Sequence, residues 1–285
     1  MARRFSRERT KDVKRRVLPG LKLSLGITLV YAAIIILLPL MALIFKAASL
    51  GPSDYWRIVS SDRALASYGV TIGSALVATL FNLVFGLALA WVLVRYRFPG
   101  RRIVDALVDL PFALPTAVAG ISLTTLFATN GWFGAVLEEI GIKVAYTPLG
   151  IMVAMAFTSL PFIVRTVQPV LEELDPALEE AAQTLGSRDW AIFRRVILPL
   201  LTPALLAGTS LAFARSLGEF GAIIFIAGNQ PFSTEITALL AFIRLEEYDY
   251  PASAAIASVM LIAAFVMLAV TNYLQARALR YTVKG

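Results

Sequence analysis

The 285-residue chain has no cysteine and no histidine. The first absence excludes disulfides and thiol nucleophiles, the second removes imidazole bases, and together they remove the usual zinc ligands. No lysine follows a glycine, so the phosphate-cradling G-x-x-x-x-G-K-[ST] loop is missing. Charge is scarce as well. Charged residues make up 16% of the chain and hydrophobic residues 58%, well above the apolar share of a soluble domain. This is the composition of an integral membrane protein. A membrane-embedded enzyme would have to work with carboxylates, and those near the predicted second to fifth spans, Asp105, Asp109 and Glu219, have no metal ligands grouped around them.

The apolar runs predict an all-α polytopic protein with six transmembrane helices. The first span runs from about Leu23 to Phe45, too long for the h-region of a cleaved signal peptide. The second covers about Tyr68 to Val94 and ends in a basic turn, Arg95 to Arg102. The third, Ile103 to Ala128, is interrupted by Asp105, Asp109, Pro111 and Pro115, which predicts an interfacial helix up to Leu110 and a kinked span after it. The fourth is about Pro148 to Val170, the fifth Leu200 to Ala227 and the sixth Ala252 to Leu274.

Basic residues orient this layout. Of 26 Lys and Arg, nine lie in residues 1 to 22, four in the turn from Arg95, four between Arg165 and Arg195, and three in the C-terminal tail. Those segments alternate with loops holding only Arg57, Arg63, Lys143 and Arg244, so both termini are expected on the cytoplasmic side. The net charge of +7 therefore reports topology, since the basic residues sit at the ends of apolar runs and not along one helical face. Residues 1 to 22 read as a basic tail and 23 to 285 as a single transmembrane domain.

One polar island, Asp175 to Pro199, interrupts the apolar chain on the side assigned to the cytoplasm. Asp175 is placed to cap a helix opening with Pro176, and Gly186 supplies a left-handed stop. Ser187 is placed to cap a second helix, with Asp189 near its start and Arg194 and Arg195 near its end, and Pro199 closes it before the next span. The small Ala181 and Ala182 beside Glu179 and Glu180 suit a docking element, although a plain surface hairpin fits the same local chemistry.

Within the fifth span, Arg215 and Glu219 stand four residues apart and can pair on one helical face. Ionisable groups in a membrane need a partner or a wet cavity. Two readings are open: a self-satisfied structural pair, or the wall of a substrate path where Arg215 attracts an anion, Gly218 and Gly221 permit a bend or close approach, and Phe220 acts as a plug. Asn82 either lines the same path or bonds a neighbouring helix, and the proline pairs 111/115 and 161/169 read as kinks.

Glu180-Ala181-Ala182, three residues, Gly186, nine residues and then Val196-Ile197-Leu198-Pro199 resembles the EAA loop of bacterial ABC importer permeases, with Val196 where that pattern usually has Ile. Arg97 to Arg101, Asp109 to Gly120, Thr166 to Leu174 and Arg215 to Gly221 are similar to the T-type permease subunits of bacterial sulfate/thiosulfate ABC importers, a likeness running from about Val17 to Arg280. The resemblance implies a type I ABC importer permease fold in the bacterial inner membrane. It implies that Glu179, Glu180, Ala181, Ala182, Gly186 and Pro199 form the coupling element for a cytoplasmic ATPase dimer, and that Arg215, Gly218, Glu219, Phe220 and Gly221 border the translocation path. Further implied partners are a second permease subunit of the W type and a periplasmic sulfate-binding protein. This chain would bind no cofactor, ATP and magnesium belonging to the ATPase. Another oxyanion such as molybdate is the alternative cargo, and an ion-coupled secondary transporter the alternative class, although neither a coupling-ion site nor internal repeats are visible.

Overall fold

The computed structural model describes residues 21–282, so the basic tail up to residue 20 and Lys284 lie outside the described residues. The chain divides into two compact units, Met1–Leu43 and Ile44–Gly285. The first unit holds α1 (Leu21–Ala32), which passes through a π-helical stretch, Ala33–Leu37, into the start of α2 (Leu38–Ala48). The apolar stretch Leu23–Ala48 has 26 residues, about 39 Å of helix at 1.5 Å per residue, enough to cross a hydrocarbon core.

The second unit continues with α3 (Pro52–Val59), α4 (Asp62–Arg95), α5 (Arg101–Val108), α6 (Leu110–Ala113), α7 (Thr116–Phe127), α8 (Trp132–Glu139) and α9 (Pro148–Glu173). Then come α10 (Pro176–Thr184), α11 (Asp189–Ile192), a second π stretch at Phe193–Ile197, α12 (Leu198–Leu217), α13 (Ile223–Ile226), α14 (Thr237–Glu246) and α15 (Tyr250–Thr282). The described residues contain no strand.

The core is the triple contact of α4, α9 and α12. Its inner face on α4 is built from small residues at helical spacing, among them Ala75, Ala78, Gly86 and Ala90, all buried. Lipid tails are as apolar as leucine, so close backbone approach and not hydrophobic exclusion holds such helices together. Ile163 shows the fit. A Cβ on Gly86 of α4 would come 3.0 Å from its Cγ2, and one on Gly208 of α12 would come 3.0 Å from its Cα. Asn82 is buried in the same seam, its Nδ2 donating to the Ala156 carbonyl at 2.8 Å and to Ser159 Oγ at 2.9 Å. Asn82 thus bonds its neighbour helix.

Three sequence expectations change. Five helices are long and apolar enough to span; the third apolar run breaks after α5 as expected, but the kinked span expected beyond it is split into the single turn α6 and the short α7. At 12 residues, α7 is only about 18 Å long. Leu114 is extended because Pro115 disfavours helix in the residue before it. The predicted fifth span ends at Leu217, well short of Ala227, and the chain then runs without helix to Ile223. Non-helical backbone at this depth has to be covered by protein, and α7 covers the stretch after Leu217: a Cβ on Gly120 of α7 would lie 2.7 Å from Ala222 Cα, and one on Gly221 would strike Thr116.

Pro199, expected to end a helix, does not. Helix is continuous from Asp189 to Leu217 through the π stretch, whose closing bond runs from Leu198 N to the Phe193 carbonyl. Pro199 has no N–H for the Arg195 carbonyl and its ring crowds that oxygen. Widening the preceding turn relieves both. The other π stretch stands in the same position, two residues before Pro39.

Candidate functional site

The polar island forms from local chemistry. Asp175 Oδ1 accepts the Ala177 N–H at 2.9 Å, capping α10, and Pro176 occupies the first helical position. The helix is closed by a Schellman motif: Gly186 at φ +78°, Gly186 N–H to the Gln183 carbonyl at 2.9 Å, and Ser187 N–H to the Ala182 carbonyl at 3.1 Å. Ser187 is spent on that closure. The residue before α11 is Arg188, without a side-chain cap, so the expected Ser187 cap is absent.

Of the residues assigned to docking, Glu180, Ala181, Gly186 and Pro199 are exposed. Ala182 is turned inward against the core of α4, α9 and α12, since a one-residue step rotates the helix face by about 100°. Glu179 forms an ion pair with Arg95 at the end of α4. Arg95 also lies over Trp91, its guanidinium carbon 5.3 Å from the ring centroid, Trp91 meets Phe193 edge-on at 5.4 Å, and Phe193 stacks on Trp190 at 5.5 Å. The island is tied to the end of α4 by an ion pair and an aromatic chain. Its outward apolar groups were missed in the sequence: Leu178, Leu185 and Trp190 are 45%, 87% and 70% exposed. Leu178 and Leu185, seven residues apart in a polar helix, were the available signal.

The other assigned region is at the far end of α12. Arg215 is on the helix and Glu219 just beyond it, so they share no helical face, yet Arg215 Nη1 and Glu219 Oε2 stand 2.7 Å apart. Glu219 is 1% exposed. Its Oε1 accepts the Ala222 N–H at 2.9 Å, while Oε2 has no aligned hydrogen-bond donor and is held by charge alone. The carboxylate thus organises the turn from 219 to 222. Gly221 is required by close approach to α7; Gly218 faces open space, with its nearest contact at 3.8 Å. Phe220 packs on Phe242 with centroids 5.5 Å apart.

Two further ion clusters escaped the sequence reading because their members are far apart in the chain. Arg165 of α9 bonds Asp105 and Asp109 at 2.6 and 2.7 Å, fastening α5 to the helix that leads into the island. Arg63 of α4 grips buried Glu235 through two bonds at 2.8 and 2.6 Å. No group of three or more candidate metal ligands occurs among the described residues.

Residues 82–280 match the family of binding-protein-dependent transport system inner membrane components. The chain is 59% identical over 263 residues to the sulfate transport system permease protein CysT of Escherichia coli (strain K12), covering 92% of this chain and 95% of that protein. It is 49% identical over 255 residues to the CysT protein of Synechocystis sp., covering 90% and 89%. Among solved structures, a bacterial alginate ABC transporter in complex with an alginate pentasaccharide-bound periplasmic protein is similar with a TM-score of 0.75 at 19% identity, over 90% of this chain and 94% of that one. The inward-facing MetNI methionine ABC transporter gives 0.60 at 18% identity, over 80% and 99%. These two likenesses bear on fold.

Proposed function

The chain belongs to the family of binding-protein-dependent transport system inner membrane components, and from that premise we propose that it is the T-type permease subunit of an importer carrying sulfate or thiosulfate into the cytoplasm. The observation that carries the substrate class is the nearly full-length identity to sulfate permeases. ATP is hydrolysed on a separate ATPase dimer, which also holds the magnesium; this chain binds neither. A W-type second permease completes the pore, and a periplasmic sulfate-binding protein delivers the anion. The basic bias supports cytoplasmic termini, with the island facing the ATPase.

The mechanism follows from continuity. The island is joined to α9 on one side and to the unbroken helix Asp189–Leu217 on the other. That helix has 29 residues, a lever of about 44 Å with Trp190 at the motor end and Arg215 at the other. Closure of the ATPase dimer displaces α10 through Glu180, Ala181 and the exposed Leu178, Leu185 and Trp190. The lever carries the displacement to Arg215, Gly218, Glu219, Phe220 and Gly221, which border the path. Coupling requires the docking face to hold the two states unequally, since equal contact would shift nothing. Arg215, 30% exposed, offers its guanidinium to the passing oxyanion; buried Glu219 keeps it in place.

The test is ATP-dependent uptake of radiolabelled sulfate in cells lacking this chain, complemented with wild type, Gly186→Val or Arg215→Ala at matched membrane levels. Wild type restores uptake, and both variants reduce it at least tenfold. Restoration of molybdate but not sulfate uptake by wild type would overturn the cargo; unchanged uptake with Gly186→Val would overturn the coupling role.

A further inference from the structure

The basic turn between α4 and α5 has no role in the transport cycle above. Arg97, Arg101 and Arg102, with Phe98, Gly100 and Ile103, line a cavity of about 440 Å³. None of the three arginines takes part in an ion pair among the described residues; the same holds of Arg188, Arg194, Arg195 and Arg277, but only these three converge on one opening. Three unpaired guanidiniums around one opening offer a positive site to an anion from outside the chain.

The helix that follows indicates which anion. On α5, Val104 and Val108 turn inward against the core, while Ile103 and Leu107 stay 67% and 56% exposed. Ala106 is exposed beside them, and Leu110 extends the strip at 38%. The cavity therefore opens beside a ribbon of unpartnered apolar side chains. It lies next to Arg95, the last residue of a membrane-spanning helix, at headgroup depth. A soluble anion would use the arginines and leave the ribbon unexplained. A molecule with an anionic phosphate and acyl chains uses both.

We propose that this cavity is a binding site for one anionic phospholipid of the leaflet on the coupling-loop side, its phosphate held by Arg97, Arg101 and Arg102 and its acyl chain laid along Ile103, Leu107 and Leu110. The assignment needs only that the chain spans a membrane; it is independent of the transported substrate. Because α5 is bonded through Asp105 and Asp109 to Arg165 of α9, the lipid anchors the helix against which the coupling loop's own support is braced.

The experiment is native mass spectrometry of the full chain, titrated with phosphatidylglycerol or phosphatidylcholine. Wild type retains one phosphatidylglycerol with at least tenfold preference. Each single Arg→Gln substitution weakens it about fivefold, as expected for one basic residue at an anionic surface, and R97Q/R101Q/R102Q abolishes the preference. Leu107→Gln weakens the lipid while leaving any binding of inorganic phosphate unchanged. Should the triple variant accumulate poorly, Arg102→Gln, at an exposed position, carries the test. An undiminished preference in the variants overturns the proposal. So does equal competition by inorganic phosphate, which would assign the site to a soluble anion. Loss of a co-purifying protein with phosphatidylglycerol binding intact would assign the arginines to a protein contact and overturn it too.

Discussion

The island around α10 and the turn around Glu219 stand at opposite ends of one lever and are built in opposite ways. The island is a local construction: a side-chain cap, a proline at the first position and a left-handed glycine form it with few demands on the rest of the chain, and nothing lies within 4 Å of where a Cβ on Gly186 would be. The turn after Arg215 is a tertiary construction. Its carboxylate is 1% exposed, and its backbone touches that of α7 where only glycine fits. The island keeps its contacts outward, in keeping with the docking role proposed for it, whereas irregular backbone within a membrane has to be sealed by its own chain.

Substitutions that break the buried end come first in size. Arg215→Ala leaves Glu219 buried without its charge partner and is expected to cost about 3 to 5 kcal/mol, read as thermal melting in nanodiscs. Adding Glu219→Gln removes the orphaned charge and keeps an acceptor for Ala222 N–H, so the double variant recovers most of that stability. If uptake does not recover with it, Arg215 acts on the anion as well as on the fold. Uptake that returns in full would make the pair purely structural.

Gly120→Val forces a side chain into the backbone of residue 222. The upper part of the overpacking range applies, about 3 kcal/mol, seen as a lower melting temperature and less chain in the membrane. Normal accumulation and melting would show that α7 can move away from the turn.

At the island the same kind of change is milder. Gly186→Ala places a Cβ at φ +78° in open space, costing about 1 to 2 kcal/mol. Melting should shift little, while sulfate-stimulated ATP hydrolysis falls. The reverse pattern would mean that this loop serves the fold more than the motor. Smallest is the Arg95–Glu179 pair, with each side chain about a quarter exposed. A double-mutant cycle with Arg95→Gln and Glu179→Gln should give a coupling of about 0.5 to 1 kcal/mol, weakening with salt.

Legibility in the sequence follows the same division. Asp175, Pro176 and Gly186 could be assigned because each acts on backbone groups within a few residues of itself. The inward turn of Ala182 could not, because EAA places two alanines side by side and only the packing of α10 decides which one faces the core. Pro199 misled because proline breaks helices in general, and a π turn that absorbs it leaves no mark in composition. Glu219 paired with Arg215 as expected, but through a turn and not along a helix face.

The sequence by itself determined that this chain lives in a membrane, that it is all helix, where its polar loop falls and how that loop is capped. These are matters of hydropathy and of short-range hydrogen bonding. Tertiary structure alone decided that Glu219 would meet Arg215 through a turn, that Arg165 would reach Asp105 and Asp109 more than fifty residues back, and that α7 would close over the turn at Glu219. Those outcomes depend on which backbones can approach without a Cβ between them and on which buried charges find each other, and neither is a property of any single stretch of chain.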